Sequence, residues 1–88
     1  MGAMPRIIDG NQFNLVGDKV KLYRKQRRMS QKELSEKLEM LAVYICRGSI
    51  SRIEDGSRTV TDIELYGLAT VLGVPVQALF PDDMNKSS

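Results

Sequence analysis

The stretch from Ser30 to Gly56, SQKELSEKLEMLAVYICRGSISRIEDG, constrains the fold of this chain more than any other part of it. It opens with a capping box, because Ser30 is followed three residues later by Glu33. Leu34 and Leu38 then recur at helical spacing, and Gly56 is typical of the left-handed position after a helix. We therefore predict two short helices in succession, joined by a connector.

The first helix of this pair is expected to run to about Leu41 or Ala42, since no Gly or Pro stops it earlier. Leu41 would extend its apolar stripe. The β-favouring residues 43–45 are predicted to form the connector, with buried side chains. Cys46 then takes the N-cap position of the next helix, where we expect a small, partly buried side chain.

The second helix is expected over about residues 47–54. It carries Ile50 and Ile53 three residues apart, so these two side chains share a face and are predicted to be buried. Arg47 and Arg52 point to other sides. A buried isoleucine pair behind a small, polar and basic face is what a helix needs to enter a DNA groove, and this is our working hypothesis for it.

Three further helices are predicted around this pair. Asn14 is a suitable N-cap for a helix that precedes the pair, and Thr61 opens a second capping box after it. That later helix is expected to end at Gly73. A short fifth helix would start around Pro75 and end before Pro81. No strictly alternating pattern indicates a sheet, so the predicted fold class is all-α, an orthogonal bundle of five helices.

The length of 88 residues favours one compact domain with a modest core. We expect a flexible segment over residues 1–13, whose opening MGAM we interpret as a cloning scar. The helical domain would then cover residues 14–81, and a polar tail residues 82–88.

The composition excludes several classes of site. One cysteine and no histidine exclude a zinc finger, an internal disulfide and histidine-based catalysis. The sequence offers no metal-ligand cluster, phosphate-binding glycine loop or nucleophile–base pair, so we expect neither an enzyme nor a cofactor. No apolar run is long enough to cross a membrane, and the single thiol fits a reducing cytoplasm.

Positive charge is concentrated in the first third of the chain, although the formal net charge is only +2. The cations of this region are Lys19, Lys21, Arg24, Lys25, Arg27, Arg28 and Lys32. Such a patch can attract phosphates. It can equally be a solvated helix face, and cations near a helix C-terminus also complement the helix dipole.

Six short motifs follow one another along the chain. They are Val16-Gly17, Ser30 to Leu34, Ile50 to Gly56, Leu68-Ala69, Leu72 to Val74 and Leu79-Phe80. Their succession resembles the Cro/cI-type, or XRE-like, helix-turn-helix family of bacterial and phage transcriptional regulators. The most specific parts of the resemblance are SQ-x-x-L and IS-R-IE-x-G.

The resemblance implies a five-helix, lambda-repressor-like domain whose third helix enters the major groove of DNA. It implies a cytoplasmic transcriptional regulator, expected to be a repressor, that binds a palindromic operator as a homodimer. The base-contacting positions would be Arg47, Gly48, Ser49 and Arg52. The phosphate-contacting positions would be Ser30, Gln31, Lys32, Ser57, Arg58 and Thr59.

The sequence departs from the family pattern at two places. Extra residues separate Leu38 from Ile50, and they form either a lengthened connector or an added turn of the preceding helix. A longer connector would place Tyr44 near the DNA or a partner. Arg28 stands where the family often has Gly, which adds a charge and removes a residue that adopts the left-handed conformation easily.

A protein–protein adaptor or antitoxin-like module with the same fold is the alternative function. It would use the apolar connector residues Leu41, Val43, Tyr44 and Ile45. For Arg52 the alternative to a base contact is an ion pair with Asp55 or Glu36, and for Arg47 it is simple solvent exposure. The fifth helix and the tail are the expected dimer surface, whereas the operator and any small-molecule effector are not indicated by the sequence.

Overall fold

The computed structural model describes residues 12–82 of the chain. This part contains four α-helices and one 3-10 helix. The α-helices are α1, Gly17–Gln26; α2, Gln31–Glu39; α3, Arg47–Glu54; and α4, Asp62–Leu72. The 3-10 helix covers Val76–Leu79. No strand occurs within these residues, so the all-helical prediction is confirmed. The predicted flexible segment and polar tail lie almost entirely outside the described residues.

The fifth predicted helix is a single 3-10 turn rather than an α-helix. The amide of Ala78 donates to the carbonyl of Pro75 at 2.9 Å, and the amide of Phe80 donates to Gln77 at 3.2 Å. Phe80 is already extended, with φ −85° and ψ 158°, because the residue before a proline avoids the helical region. The segment between Pro75 and Pro81 is therefore long enough for only one 3-10 turn.

All four α-helices end in the same hydrogen-bond pattern, in which a left-handed residue follows the helix. The left-handed positions are Arg28, Ala42, Gly56 and Gly73. In each case the next residue donates its amide to a carbonyl of the last turn: Met29 to Arg24, Val43 to Leu38, Ser57 to Arg52 and Val74 to Ala69. The predicted ends at Gly56 and Gly73 are confirmed.

The end of α2 differs from the prediction. The helix stops at Glu39, because Ala42 takes the left-handed conformation, with φ 62°. Leu41 and Tyr44, which we expected to be buried, are 47% and 75% exposed. Val43 is buried and belongs to the core. The connection between α2 and α3 therefore covers residues 40–46, and its lengthening relative to the family stays a prediction.

The start of α3 partly matches the prediction. Cys46 occupies the N-cap position, as expected, but its side chain is exposed and makes no capping hydrogen bond. The two capping boxes are complete: Ser30 and Glu33 exchange bonds at the start of α2, and Thr61 and Glu64 at the start of α4.

The hydrophobic core contains residues from every helix, and α3 packs on it through its inner face. Its buried apolar residues are Val16, Val20, Leu34, Leu38, Val43, Ile45, Ile50, Ile53, Leu68, Ala69, Leu72 and Leu79. Ile50 and Ile53 are both 0% exposed, so the predicted burial of this pair is confirmed. Because each fully buried isoleucine contributes on the order of 1.5–3 kcal/mol, the inner face of α3 is firmly held.

The segment before α1 is fixed to the end of α3. The helix begins at Gly17, later than predicted, yet Asn14 still serves it: Oδ1 accepts from the amides of Val16 and Gly17 at 3.0 and 2.8 Å. Nδ2 of Asn14 donates to the carbonyls of Ile53 and Arg58. Gly17 packs so closely on α3 that a Cβ at this position would overlap the carbonyl oxygen of Ile53.

Candidate nucleic-acid interface

The outer face of α3 is exposed over its whole length. Arg47, Gly48, Ser51 and Arg52 are exposed and Ser49 is half-buried, while Ile50 and Ile53 lie beneath them in the core. The four predicted base-contacting residues therefore lie together on one accessible helix. Ser51 belongs to the same face and was missed, although its position four residues after Arg47 places it there.

Arg52 is oriented along α3 by a hydroxyl. Its Nη2 donates to Oγ of Ser49 at 3.3 Å, and Sγ of Cys46 lies 3.4 Å from the same oxygen. Within residues 12–82, Arg52 forms no ion pair with either Asp55 or Glu36, the alternative that the sequence left open. The hydrogen bond with the Ser49 hydroxyl, together with backbone amides at the start of α3, holds the pKa of the Cys46 thiol below its ordinary value.

Arg47 and Gly48 form the exposed first turn of α3. Among the described residues the Arg47 side chain has no hydrogen-bond or ion-pair partner. A Cβ added to Gly48 would meet nothing within 4 Å, and the residue has no positive φ. Glycine inside a helix costs about 1 kcal/mol relative to alanine. No contact within the described residues requires a glycine at this position.

A buried polar network supports the C-terminal end of α3. Nε and Nη2 of Arg24 donate to the two carboxylate oxygens of Glu54 at 2.6 and 3.0 Å, and Nη1 donates to the carbonyl of Met29 at 2.8 Å. Nε2 of Gln31 donates to Oε1 of Glu54 at 3.1 Å. The hydrogen bond to Glu54 raises the pKa of Arg24 further. This network joins α1, α2 and α3.

The predicted phosphate-contacting residues at the start of α2 have different local roles. Ser30 accepts from the amide of Glu33 at 3.0 Å and so caps the helix. Gln31 is half-buried and bonded to Glu54. The Lys32 side chain is exposed and has no partner among the described residues.

The loop after α3 is held by hydrogen bonds within the loop and to α4. The hydroxyl of Ser57 donates to Oδ1 of Asp55 at 2.6 Å, which lowers the pKa of that carboxyl. Arg58 forms two bonds to the carboxylate of Glu64, at 2.9 and 2.8 Å, and these bonds lower the pKa of Glu64. The side chain of Thr59 is exposed, and it lacks a partner in the described part of the chain.

The sequence pattern of the helix-turn-helix family matches residues 20–79, from α1 to the 3-10 helix. The chain belongs to the XRE-type helix-turn-helix family. No curated protein sequence matches it. In the family's terms, α2 and α3 are the two helices of the motif, and residues 40–46 are its turn.

Solved structures share this helix-turn-helix fold. The biofilm master regulator SinR, crystallised in complex with DNA, is 31% identical with a TM-score of 0.63, over 73% of this chain and 95% of that one. The DNA-binding domain of BldD is 28% identical with a TM-score of 0.66, over 84% and 100%. Hydroxypropylphosphonic acid epoxidase from S. wedmorenis, 23% identical with a TM-score of 0.67, shows the fold alone, since only 36% of that chain is covered.

An open apolar groove lies on the side of the domain formed by the turn and α4. It is lined by Leu41, Val43, Ile63, Tyr66, Gly67 and Thr70, with Asp62 at its edge. Ile63 and Tyr66 are 69% and 71% exposed. Within residues 12–82, no His, Cys, Asp or Glu cluster could hold a metal ion, and no helix is long and apolar enough to span a bilayer.

Proposed function

We propose that this chain is a sequence-specific double-stranded DNA-binding protein that acts as a transcriptional regulator, with α3 lying in the major groove. The observation that carries the proposal is the division of α3 into two faces. Ile50 and Ile53 are completely buried, whereas Arg47 and Arg52 are exposed on the outer side. A helix held in this way can enter a groove without losing its place in the core.

Base recognition is assigned to Arg47, Gly48, Ser49 and Arg52. An arginine can donate two hydrogen bonds to O6 and N7 of guanine, the commonest specific contact in the major groove. Nη2 of Arg52 already donates to Ser49 at 3.3 Å, and a guanidinium partly ordered in this way loses less entropy on forming a base contact. Gly48 lets the helix backbone approach the base edges closely.

Phosphate binding is assigned to Ser30, Gln31, Lys32, Ser57, Arg58 and Thr59. Lys32 and Thr59 are the simplest cases, because their side chains have no partner within residues 12–82. Ser30 and Gln31 lie at the N-terminus of α2, where the helix dipole favours an anion. The guanidinium of Arg58 already donates to Glu64 and to the carbonyl of Thr59, so we expect the weakest contribution from it.

We further propose that the protein is a bacterial or phage-encoded cytoplasmic repressor that binds a palindromic operator as a homodimer. The support is family membership together with the likeness to SinR, whose structure contains DNA. Two recognition helices about 34 Å apart would fit successive major grooves on one side of the duplex. Sedimentation at increasing protein concentration tests the dimer, and a monomer at all concentrations would contradict it.

The proposed DNA binding is tested by selecting bound duplexes from a random-sequence library. The recovered site and a scrambled duplex of the same length are then titrated by fluorescence anisotropy at several salt concentrations. We expect the recovered site to bind more tightly than the scrambled duplex at moderate salt, with both affinities falling as salt rises. Equal affinity for the two duplexes would contradict sequence-specific binding.

A protein–protein adaptor is the second candidate function, favoured by the apolar groove between the turn and α4. Leu41, Ile63 and Tyr66 expose large apolar side chains there. Replacing Arg47 and Arg52 with alanine separates the candidates. A DNA reader loses sequence preference after this change, and an adaptor keeps its partner.

A further inference from the structure

Arg28 adopts a backbone conformation that its side chain disfavours. It is left-handed, with φ 55°, and it closes α1 in the position that glycine usually occupies. Its amide donates to the carbonyl of Lys25 at 3.0 Å, and the amide of Met29 donates to Arg24 at 3.1 Å. An L-residue with a Cβ is strained in this conformation, whereas glycine is not.

No contact within the described chain explains why an arginine stands at this strained position. The Arg28 side chain is exposed, and among residues 12–82 it has no hydrogen-bond or ion-pair partner. Strained non-glycine residues persist where the surrounding structure or the function demands them. Ala42 adopts the same conformation, so the strain alone does not assign a function. What distinguishes Arg28 is an exposed cation at such a position, without a partner among the described residues.

No carboxylate among the described residues forms an ion pair with Arg28. Seven cations and no carboxylate occur between Lys19 and Lys32. Several of these cations are engaged: Lys19 with Asp82, Arg24 with Glu54, and Arg27 over the ring of Tyr23 at 5.3 Å. The guanidinium of Arg28 stays available beside α2.

The turn that carries Arg28 is fixed to the recognition helix. Arg24 binds both the carbonyl of Met29 and the carboxylate of Glu54, the last residue of α3. Gln31 reaches the same carboxylate. The backbone at residues 27–31 is therefore held in a constant position relative to α3, and Arg28 is presented on that rigid turn just before the first turn of α2.

We propose that Arg28 binds a DNA backbone phosphate and extends the phosphate-binding surface of α2 onto the end of α1. This inference rests on the proposed DNA-binding function, and it concerns a residue outside the set assigned above. A backbone contact of this kind adds affinity and salt dependence and leaves sequence preference unchanged.

The test compares Arg28→Gly, Arg28→Ala and Arg28→Lys on the selected duplex and on a random duplex of equal length. Arg28→Gly removes the charge and the strain together, so we expect a stability equal to or above that of the wild type. We expect roughly two- to tenfold weaker binding to both duplexes, with the slope of log Kd against log salt reduced by about one. Arg28→Ala should lose the same slope, and Arg28→Lys should keep it.

Ala42→Gly is the matched control, because it relieves the other left-handed non-glycine residue without removing a charge. It should leave the salt slope unchanged. An Arg28→Gly protein with wild-type affinity and slope on the random duplex would overturn the proposal. Failure of the proposed function is separate: the wild-type protein would then show no preference for the selected duplex over the random one.

Discussion

The guanidinium of Arg24 and the carboxylate of Glu54 form a buried ion pair through two hydrogen bonds, with Nε 2.6 Å from Oε2 and Nη2 3.0 Å from Oε1. The two residues are 8% and 7% exposed. Since Arg24 lies in α1 and Glu54 ends α3, the pair fixes α3 to α1. Gln31 adds α2 to the same network.

Breaking this pair from one side is expected to destabilise the protein strongly. Arg24→Met leaves the Glu54 carboxylate buried without its cation, and such changes typically cost about 3–5 kcal/mol. The double variant Arg24→Met, Glu54→Leu removes both charges and should recover much of the loss. Urea unfolding of the single and double variants measures this. A single variant within about 1 kcal/mol of the wild type would show that the pair does not hold α3.

Gly17→Ala should destabilise the protein. The added Cβ would overlap the carbonyl oxygen of Ile53, so α1 must move away from the end of α3. Overpacking of this kind typically costs about 1–3 kcal/mol. A thermal melt of the variant provides the measurement, and an unchanged Tm would contradict the close packing of α1 on α3.

Gly48→Ala is the same chemical change on the exposed face of α3, and the expected effect on stability is opposite. Nothing within 4 Å obstructs the methyl group, so the better helix propensity of alanine should add about 0.5–1 kcal/mol. The affinity for the selected duplex should nevertheless fall, because the methyl group keeps the backbone from the base edges. A more stable variant with undiminished affinity would remove Gly48 from the proposed recognition set.

The ion pair between Arg58 and Glu64 is expected to make the unfolding free energy depend on pH in the acid range. The bond from Arg58 holds the pKa of Glu64 below its ordinary value of 4.5 in the folded state. Its stabilising contribution is therefore complete above 4.5 and is lost as the pH falls through the lowered pKa. Glu64→Gln should flatten this part of the pH dependence of the unfolding free energy. An identical acid profile for both proteins would contradict the pairing.

The parts of the fold that the sequence predicted depend on neighbouring residues. The capping boxes at Ser30 and Thr61 and the helix ends at Gly56 and Gly73 are local patterns, and all are present. The spacing of Ile50 and Ile53 likewise decides which face of α3 is buried. Features of this kind can be predicted because the residues that determine them lie within a few positions of one another in the sequence.

The missed features depend on distant residues. Arg24 was grouped with the solvent-exposed cations of α1, because the carboxylate that explains its burial lies 30 residues away, at Glu54. The early end of α2 is not marked by a glycine. Ala42 takes the left-handed conformation there, and the next residue, Val43, packs close to Gly67 of α4. Arg58 was predicted as a phosphate contact without knowledge of its carboxylate partner on α4.

The proposed reading of the DNA sequence depends most directly on Arg52. The decisive measurement is the ratio of the protein's affinities for the selected and the scrambled duplex. In the Arg52→Ala protein this ratio should fall by the equivalent of about 1–3 kcal/mol, the value of one good base contact. Binding to the scrambled duplex should change far less. An Arg52→Ala protein that distinguishes the two duplexes as well as the wild type would contradict the claim that the outer face of α3 reads the sequence.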